Sequence, residues 1–163
     1  MNTVLAIQPE ARQIGYAVFE GTDLIDWGCK NLPSVNLERR TAECALALFR
    51  SLISRHEPDV VVFPVRTETP WTARNRVLRV VRTELEGEPM VLKSFSRQEI
   101  RECFKCFLGF QPTKQQIMHL LSRWFPELET LVPRARRPWE SQDYWVSMFD
   151  SVALAVTFLH NNA

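Results

Sequence analysis

The sequence predicts an α/β domain on a mixed sheet, three antiparallel strands followed by parallel ones, with helices on both faces. Three observations carry that expectation. Short apolar runs separated by turn residues open the chain, one run near the middle is apolar on consecutive positions, and the remainder alternates helical periods with breakers.

Val4 to Ile7 is the first apolar run and ends at Pro9; Gly15-Tyr16-Ala17-Val18-Phe19 resumes as a second strand, and Gly21-Thr22-Asp23 turns into a third over Leu24–Cys29. From Asn36, a capping residue type, the period changes. Ala42, Ala45, Leu46, Phe49, Leu52 and Ile53 share one face of a helix that stops before Pro58. Asp59-Val60-Val61-Val62-Phe63 lies between Pro58 and Pro64, and its unbroken apolar character is that of a central strand covered on both faces. Thr69-Pro70 supplies a cap and a proline for the first helical position of a helix running to about Leu85. That helix sets Val77, Val81 and Leu85 on one side and Arg76, Arg79 and Arg82 on another.

Gly87-Glu88-Pro89 breaks the pattern, Met90-Val91-Leu92 is a further strand, and Ser96-Arg97-Gln98-Glu99 has capping-box spacing for a short helix to about Phe104. Thr113-Lys114-Gln115-Gln116 is a second such box, opening a helix with Ile117, Leu120, Leu121 and Trp124 inward and ending at Pro126. Residues 126–141, with three prolines and an Arg134, Arg136, Arg137 cluster, are expected to form an exposed loop. The last helix, about Asp143 to His160, is apolar nearly all round and contains one acid past its start, Asp150.

Length and composition fit one domain spanning 1–163: 163 residues, 45% apolar and 24% charged, is ordinary globular usage rather than a disordered or disulfide-stapled chain. No apolar run reaches the roughly 18–20 residues of a membrane span, and Met1-Asn2-Thr3 lacks a basic leader, so the expectation is a soluble cytoplasmic protein without a membrane partner. The net charge of +1 gives no reason to invoke a polyanion, but its distribution does. Residues 66–137 carry 14 basic against 8 acidic side chains, and 16 of the 20 basic residues are arginine, whose planar fork suits phosphate. A solvated helix face gives the same pattern.

Cys29, Cys44, Cys103 and Cys106 are unevenly spaced and fit free thiols. Cys103 and Cys106 followed by His119 match three ligands of a zinc finger, but no second histidine follows within reach, so cysteines buried on a helix face are the simpler reading. Trp124 and Trp145, at helical spacings, are expected in the core. Trp71 and Trp139 stand beside prolines near basic residues and are the candidates for stacking on nucleobases.

Several motifs, taken in order, resemble the RuvC-type Holliday-junction resolvase branch of the RNase H-like superfamily. Ile7-Gln8-Pro9 followed by Gly15-Tyr16 is similar to that branch's Ile-Asp-Pro-Gly leading to Thr-Gly-Tyr. Pro58-Asp59 before the apolar strand, Thr113-Lys114 before a helix, and Asp150-Ser151-Val152-Ala153-Leu154-Ala155 are similar to its later motifs. The resemblance implies a dimer and a two-metal nuclease, in which carboxylates from strand one, the central strand and the final helix hold two magnesium ions roughly 4 Å apart.

Carried over one position at a time, those carboxylates fall on Gln8, Pro64, Ser147 and Asp150, and only Asp150 is acidic. Substitution by Glu10, Glu68, Glu140 or Asp143, a slipped alignment of the central strand, and decay of the site are the three explanations. We read the site as decayed, with no cofactor expected and magnesium only where substitute carboxylates rescue it. Asp150 itself fits either metal binding or pairing with a backbone group or an arginine.

The leading functional expectation is therefore a catalytically degenerate RuvC-like domain. It would bind branched or double-stranded DNA through Arg66, Arg74, Arg76, Arg79 and Arg82 with the Arg134, Arg136, Arg137 loop. An active magnesium-dependent junction endonuclease and a non-enzymatic protein-interaction module are the alternatives.

Overall fold

The three opening runs are strands β1 (Thr3–Pro9), β2 (Gln13–Glu20) and β3 (Asp23–Asn31), paired as an antiparallel meander. The computed structural model describes residues 2–10, 12–33, 38–65, 73–135, 137, 139 and 143–163. After helix α1 (Glu38–His56), the consecutive-apolar run forms β4 (Val60–Pro64), parallel to β1 and buried at every position. Helix α2 (Ala73–Leu85) leads to β5 (Val91–Phe95), parallel to β4, so the sheet order is β3-β2-β1-β4-β5. Helices α3 (Arg97–Leu108), α4 (Lys114–Trp124) and α5 (Val146–Asn161) complete the chain. The predicted mixed sheet and its order of strand directions are both present.

Side-chain alternation divides the core in two. Val4, Ala6, Ala17, Phe19, Val60 and Val62 face α3, α4 and α5, while Leu5, Ile7, Ile14, Val18, Val61 and Phe63 face α1 and α2. Helices therefore cover both faces. Among the described residues no helix is long and apolar enough to cross a membrane.

Element boundaries shift in several places; α5, for one, starts at Val146 rather than Asp143, and β2 and β3 each extend beyond the expected run. β1 continues through Pro9, which pairs with Ile14 at the strand end, where a missing ladder N–H is tolerated. β5 runs on to Phe95 because Pro64 and Phe63 of β4 continue the parallel ladder opposite Phe95 and Ser94. α3 extends past Phe104 to Leu108, closed by Gly109 in the left-handed conformation (φ +80°). The expected loop after Pro126 begins as a 3-10 helix, Pro126–Leu131, because Leu128 is fully buried and pulls the segment onto the core. The start signals at Asn36 and Thr69-Pro70 lie outside the described residues.

Two corrections concern side chains. Trp124 is 39% exposed rather than inward; it lies on Phe104 with ring centroids 6.2 Å apart and meets Phe107 edge-on at 4.9 Å. Cys106 is exposed and bonds the carbonyl of Glu102, while Cys103 is buried one turn away. Among the described residues no three His, Cys, Asp or Glu side chains gather as a metal site.

Both capping boxes form: Ser96 Oγ accepts from the Glu99 N–H at 3.2 Å, and Thr113 Oγ1 from the Gln116 N–H at 3.2 Å, with the return bonds from Glu99 and Gln116 in place. Ser96→Ala and Thr113→Ala should each cost about 1 kcal/mol in urea denaturation. In the double variant the losses should sum, because the caps share no partner. An unchanged midpoint in either single variant would remove the cap from the account of that helix.

Candidate functional site

Register and helix position place the four residues that the resemblance aligns with carboxylates, Gln8, Pro64, Ser147 and Asp150, at one end of the sheet. Asp59 fixes it: its backbone N–H donates to the Thr3 carbonyl at 2.9 Å and its Oδ2 accepts the Thr3 N–H at 2.8 Å, seating β4 beside β1 with Val4 opposite Val60. Continued along two parallel strands, that register sets Gln8 opposite Pro64. Gln8 also pairs with Gly15, Gly15 with Cys29, and Pro64 with Phe95. Cys29, Gly15, Gln8, Pro64 and Phe95 thus form one row across the sheet, on the face that carries α5.

α5 crosses this row at its N-terminal end. A Cβ at Gly15 would sit inside the backbone of Ser147 and Met148, so the glycine is what lets the helix lie on β2. Ser147 is fully buried, and its hydroxyl meets the Cys29 thiol at 3.3 Å, a thiol whose pKa burial pushes up. Tyr144 donates its hydroxyl to the Cys29 carbonyl at 2.7 Å, and Asp143, just ahead of the helix, accepts the Trp145 N–H at 3.0 Å. Trp145 is half-buried against the α5 core.

Asp150 lies one turn beyond Ser147, with 21% of its side chain exposed. Its Oδ2 is 2.9 Å from Lys114 Nζ, so its partner is a lysine rather than the expected backbone group or arginine. Burial raises the Asp150 pKa above the usual carboxylate range; the Lys114 ammonium opposes this most, Glu10 adds to it and Arg97 opposes it. Glu10 is therefore close enough for its charge to be felt, as strand alternation two residues past Gln8 allows. The Gln8 amide donates to Glu10 Oε1 at 3.2 Å.

Two acids, Glu10 and Asp150, thus face two bases, Lys114 and Arg97, at this end of the sheet. A pair of divalent cations needs hard oxygen ligands and a strong excess of negative charge. Pro64 offers no side-chain ligand, the Ser147 hydroxyl is engaged by Cys29, and the carboxylate of Asp150 already holds an ammonium. Among the described residues these side chains do not gather as a two-metal ligand set. Of the other proposed substitutes, Asp143 accepts the Trp145 N–H ahead of α5, and Glu68 and Glu140 lie outside the described residues.

The arginines divide between layers. Arg79 and Arg82 are exposed on α2, whose Val77, Leu78, Val81 and Leu85 pack on the face away from α5, and Arg76 is half-buried there. The Arg82 guanidinium lies over the Phe63 ring, 6.0 Å from its centroid. Arg134 belongs to the α4 and α5 side, where it lines a pocket of about 190 Å³ with Lys114 and Asp143. Arg137 stands over Trp139, which is 77% exposed, at 5.6 Å. Among the described arginines, Arg76, Arg79 and Arg82 thus lie on one side of the sheet and Arg134 on the other, rather than on the single face expected. Arg66, Arg136, Trp71 and the side chain of Arg74 lie outside the described residues. Sequence reasoning passed over Arg97 as a neighbour of Asp150. Its place as the first residue of α3, directly after the strand paired with Pro64, was the available signal.

No family model and no curated protein matches this sequence. Solved structures do match. RuvC of T. thermophilus in complex with a Holliday junction substrate superimposes with a TM-score of 0.73 at 12% identity, over 99% of this chain and 95% of that one. The yeast mitochondrial Holliday junction resolvase gives 0.67 at 18% identity, over 96% of this chain and 77% of that one. The fowlpox virus resolvase with Holliday junction DNA gives 0.52 at 14% identity, over 98% of both chains. The five-stranded sheet, the helices on its two faces and these superpositions together establish that the chain has the RuvC-type RNase H-like fold.

Proposed function

We propose that this chain is a RuvC-like nucleic-acid-binding domain that engages branched or double-stranded DNA without cutting it. The observation that carries this reading is the row at the end of the sheet: Gln8, Pro64 and Ser147 stand where carboxylates are expected, and the one acid in register, Asp150, is ion-paired with Lys114. The fold supports the binding half of the reading, because the superimposed structures include two resolvases with Holliday junction DNA. The exposed Lys114 and Arg134 give the α4 and α5 side cations for a phosphate backbone to meet, and the exposed Arg137 stands over the ring of Trp139.

A second reading, a nuclease using substitute acids, is favoured by one observation: the charge of Glu10 acts on Asp150. One assay separates the two. A labelled four-way junction incubated with the purified protein and magnesium or manganese should remain intact, while its binding weakens about tenfold or more between 50 and 200 mM salt. Chelator-sensitive cleavage, lost in both Glu10→Gln and Asp150→Asn, would establish the nuclease instead. Binding indifferent to salt would remove phosphate recognition.

A further inference from the structure

We propose that the cleft where α4 meets the start of α5 takes one unpaired nucleobase of the bound DNA, guanine before the other three, with Asp143 reading its Watson–Crick edge. The inference rests on the DNA-binding reading and adds a base-specific subsite to it.

The cleft has an apolar floor and a charged edge. Met118 of α4, Pro133 and Val146 are its buried side chains, and Arg134 and Asp143 are exposed. Its volume of about 190 Å³ is below the roughly 300 Å³ from which drug-sized ligands are housed, which suits one planar ring system. Both walls are fixed before a ligand arrives. The Gln115 amide donates to the Pro133 carbonyl at 2.6 Å, which ties the segment carrying Arg134 to α4. Asp143 Oδ1 accepts the Trp145 N–H at 3.0 Å, which ties the carboxylate to the start of α5. A site held by its own hydrogen bonds loses little conformational freedom on binding.

A phosphate alone does not account for this lining, because it has no use for an apolar floor and the Asp143 carboxylate repels it. A base matches all three parts. It brings a flat face for Met118, Pro133 and Val146, N–H donors for the carboxylate and ring acceptors for the guanidinium. Among the described residues Asp143 Oδ2 has no hydrogen-bonding partner, and a carboxylate offers about four lone-pair sites, so the acid has room for two adjacent donors. Guanine is the DNA base that presents two, N1–H and the 2-amino group, next to the O6 and N7 acceptors that an arginine fork meets. The five N–H groups of Arg134 serve a base as well as its contacts within the protein. A base enters such a cleft only when it is out of the stack, which costs least where it is unpaired from the start.

The test is fluorescence anisotropy of labelled four-way junctions that differ only in one extra residue at the branch point: guanine, adenine, cytosine, thymine, inosine or an abasic site. The wild-type protein should bind the guanine junction about fivefold or more tightly than the abasic one. Inosine, which is guanine without the 2-amino group, should lose most of that preference. Asp143→Asn keeps an oxygen for the Trp145 N–H but no longer offers a carboxylate, and it should bring the guanine junction down to the level of the abasic one. Should that variant fail to fold, the inosine comparison reads the same bond on the wild-type protein. Equal binding of the guanine and abasic junctions, a preference for another base, or a guanine preference that either inosine or Asp143→Asn leaves unchanged would overturn the inference while leaving the DNA-binding reading intact. No junction binding under any condition would end both.

Discussion

Gly15→Ala is expected to destabilise the protein by about 3 kcal/mol or more, at the severe end for a single methyl. The added carbon would fall within the backbone of Ser147 and Met148, and backbone cannot rotate away as a side-chain end can. Nor can β2 yield. Gly15 is in the middle of its strand, in register with Gln8 on one side and Cys29 on the other, so moving it breaks both ladders. The remaining relief is for α5 to lift, and that helix is the most deeply buried of the described helices, with Met148, Phe149, Val152 and Leu154 at 0 to 1% exposure. Lifting it would open the core and separate Asp150 from the strand ends. Gly87→Ala is the matched control, since nothing lies within 4 Å of its added carbon; it should be neutral or stabilising by up to about 1 kcal/mol. Urea denaturation of the pair reads the difference directly. Insoluble Gly15→Ala beside soluble Gly87→Ala is the same result in its extreme form, and a Gly15→Ala as stable as the wild type would mean that α5 does not rest on β2 here.

The sheet and the row at its end were legible in the sequence because they depend on local signals. The Pro58-Asp59 corner, four consecutive apolar residues and the Gly15-Tyr16 restart suffice to align β1, β2 and β4, whereas Pro9 at the strand end kept alternation from settling the side of Glu10. What escaped was whatever depends on how separate layers meet. The stripe of Arg76, Arg79 and Arg82 is a property of one helix, but the side of the sheet that receives that helix is set by the crossover and the packing of Val77 and Val81. Trp124 keeps the predicted helical face, yet the core ends before it, and Phe104 and Phe107 cover only part of the ring. The partner of Asp150 comes from another helix, and no spacing within either helix announces a contact between residues 114 and 150.

The burial of Asp150 makes stability depend on pH in a direction opposite to the common carboxylate case. The Asp150 pKa is raised in the folded protein, so the native state holds this proton more tightly than the unfolded chain does. The favourable contribution is complete below the unfolded value of about 3.9 and is lost as pH rises through the higher native value. Lys114 limits that loss by stabilising the ionised form. Lys114→Ala should therefore push the Asp150 pKa further up and cost about 1–2 kcal/mol at neutral pH. This is less than the 3–5 kcal/mol of a fully buried pair, because the lysine is half-exposed and screened. As pH falls toward 4 and the carboxyl takes up its proton in the folded wild type as well, the attraction no longer counts and the deficit should shrink. In an Asp150→Asn background, which has no carboxylate to ionise, Lys114→Ala should cost little at either pH. Urea denaturation of wild type, both single variants and the double variant at pH 4 and pH 7 isolates the coupling, because every other titrating group cancels around the cycle. A deficit for Lys114→Ala that is the same at both pH values would show that its stem packing, and not its charge on Asp150, is what the fold uses.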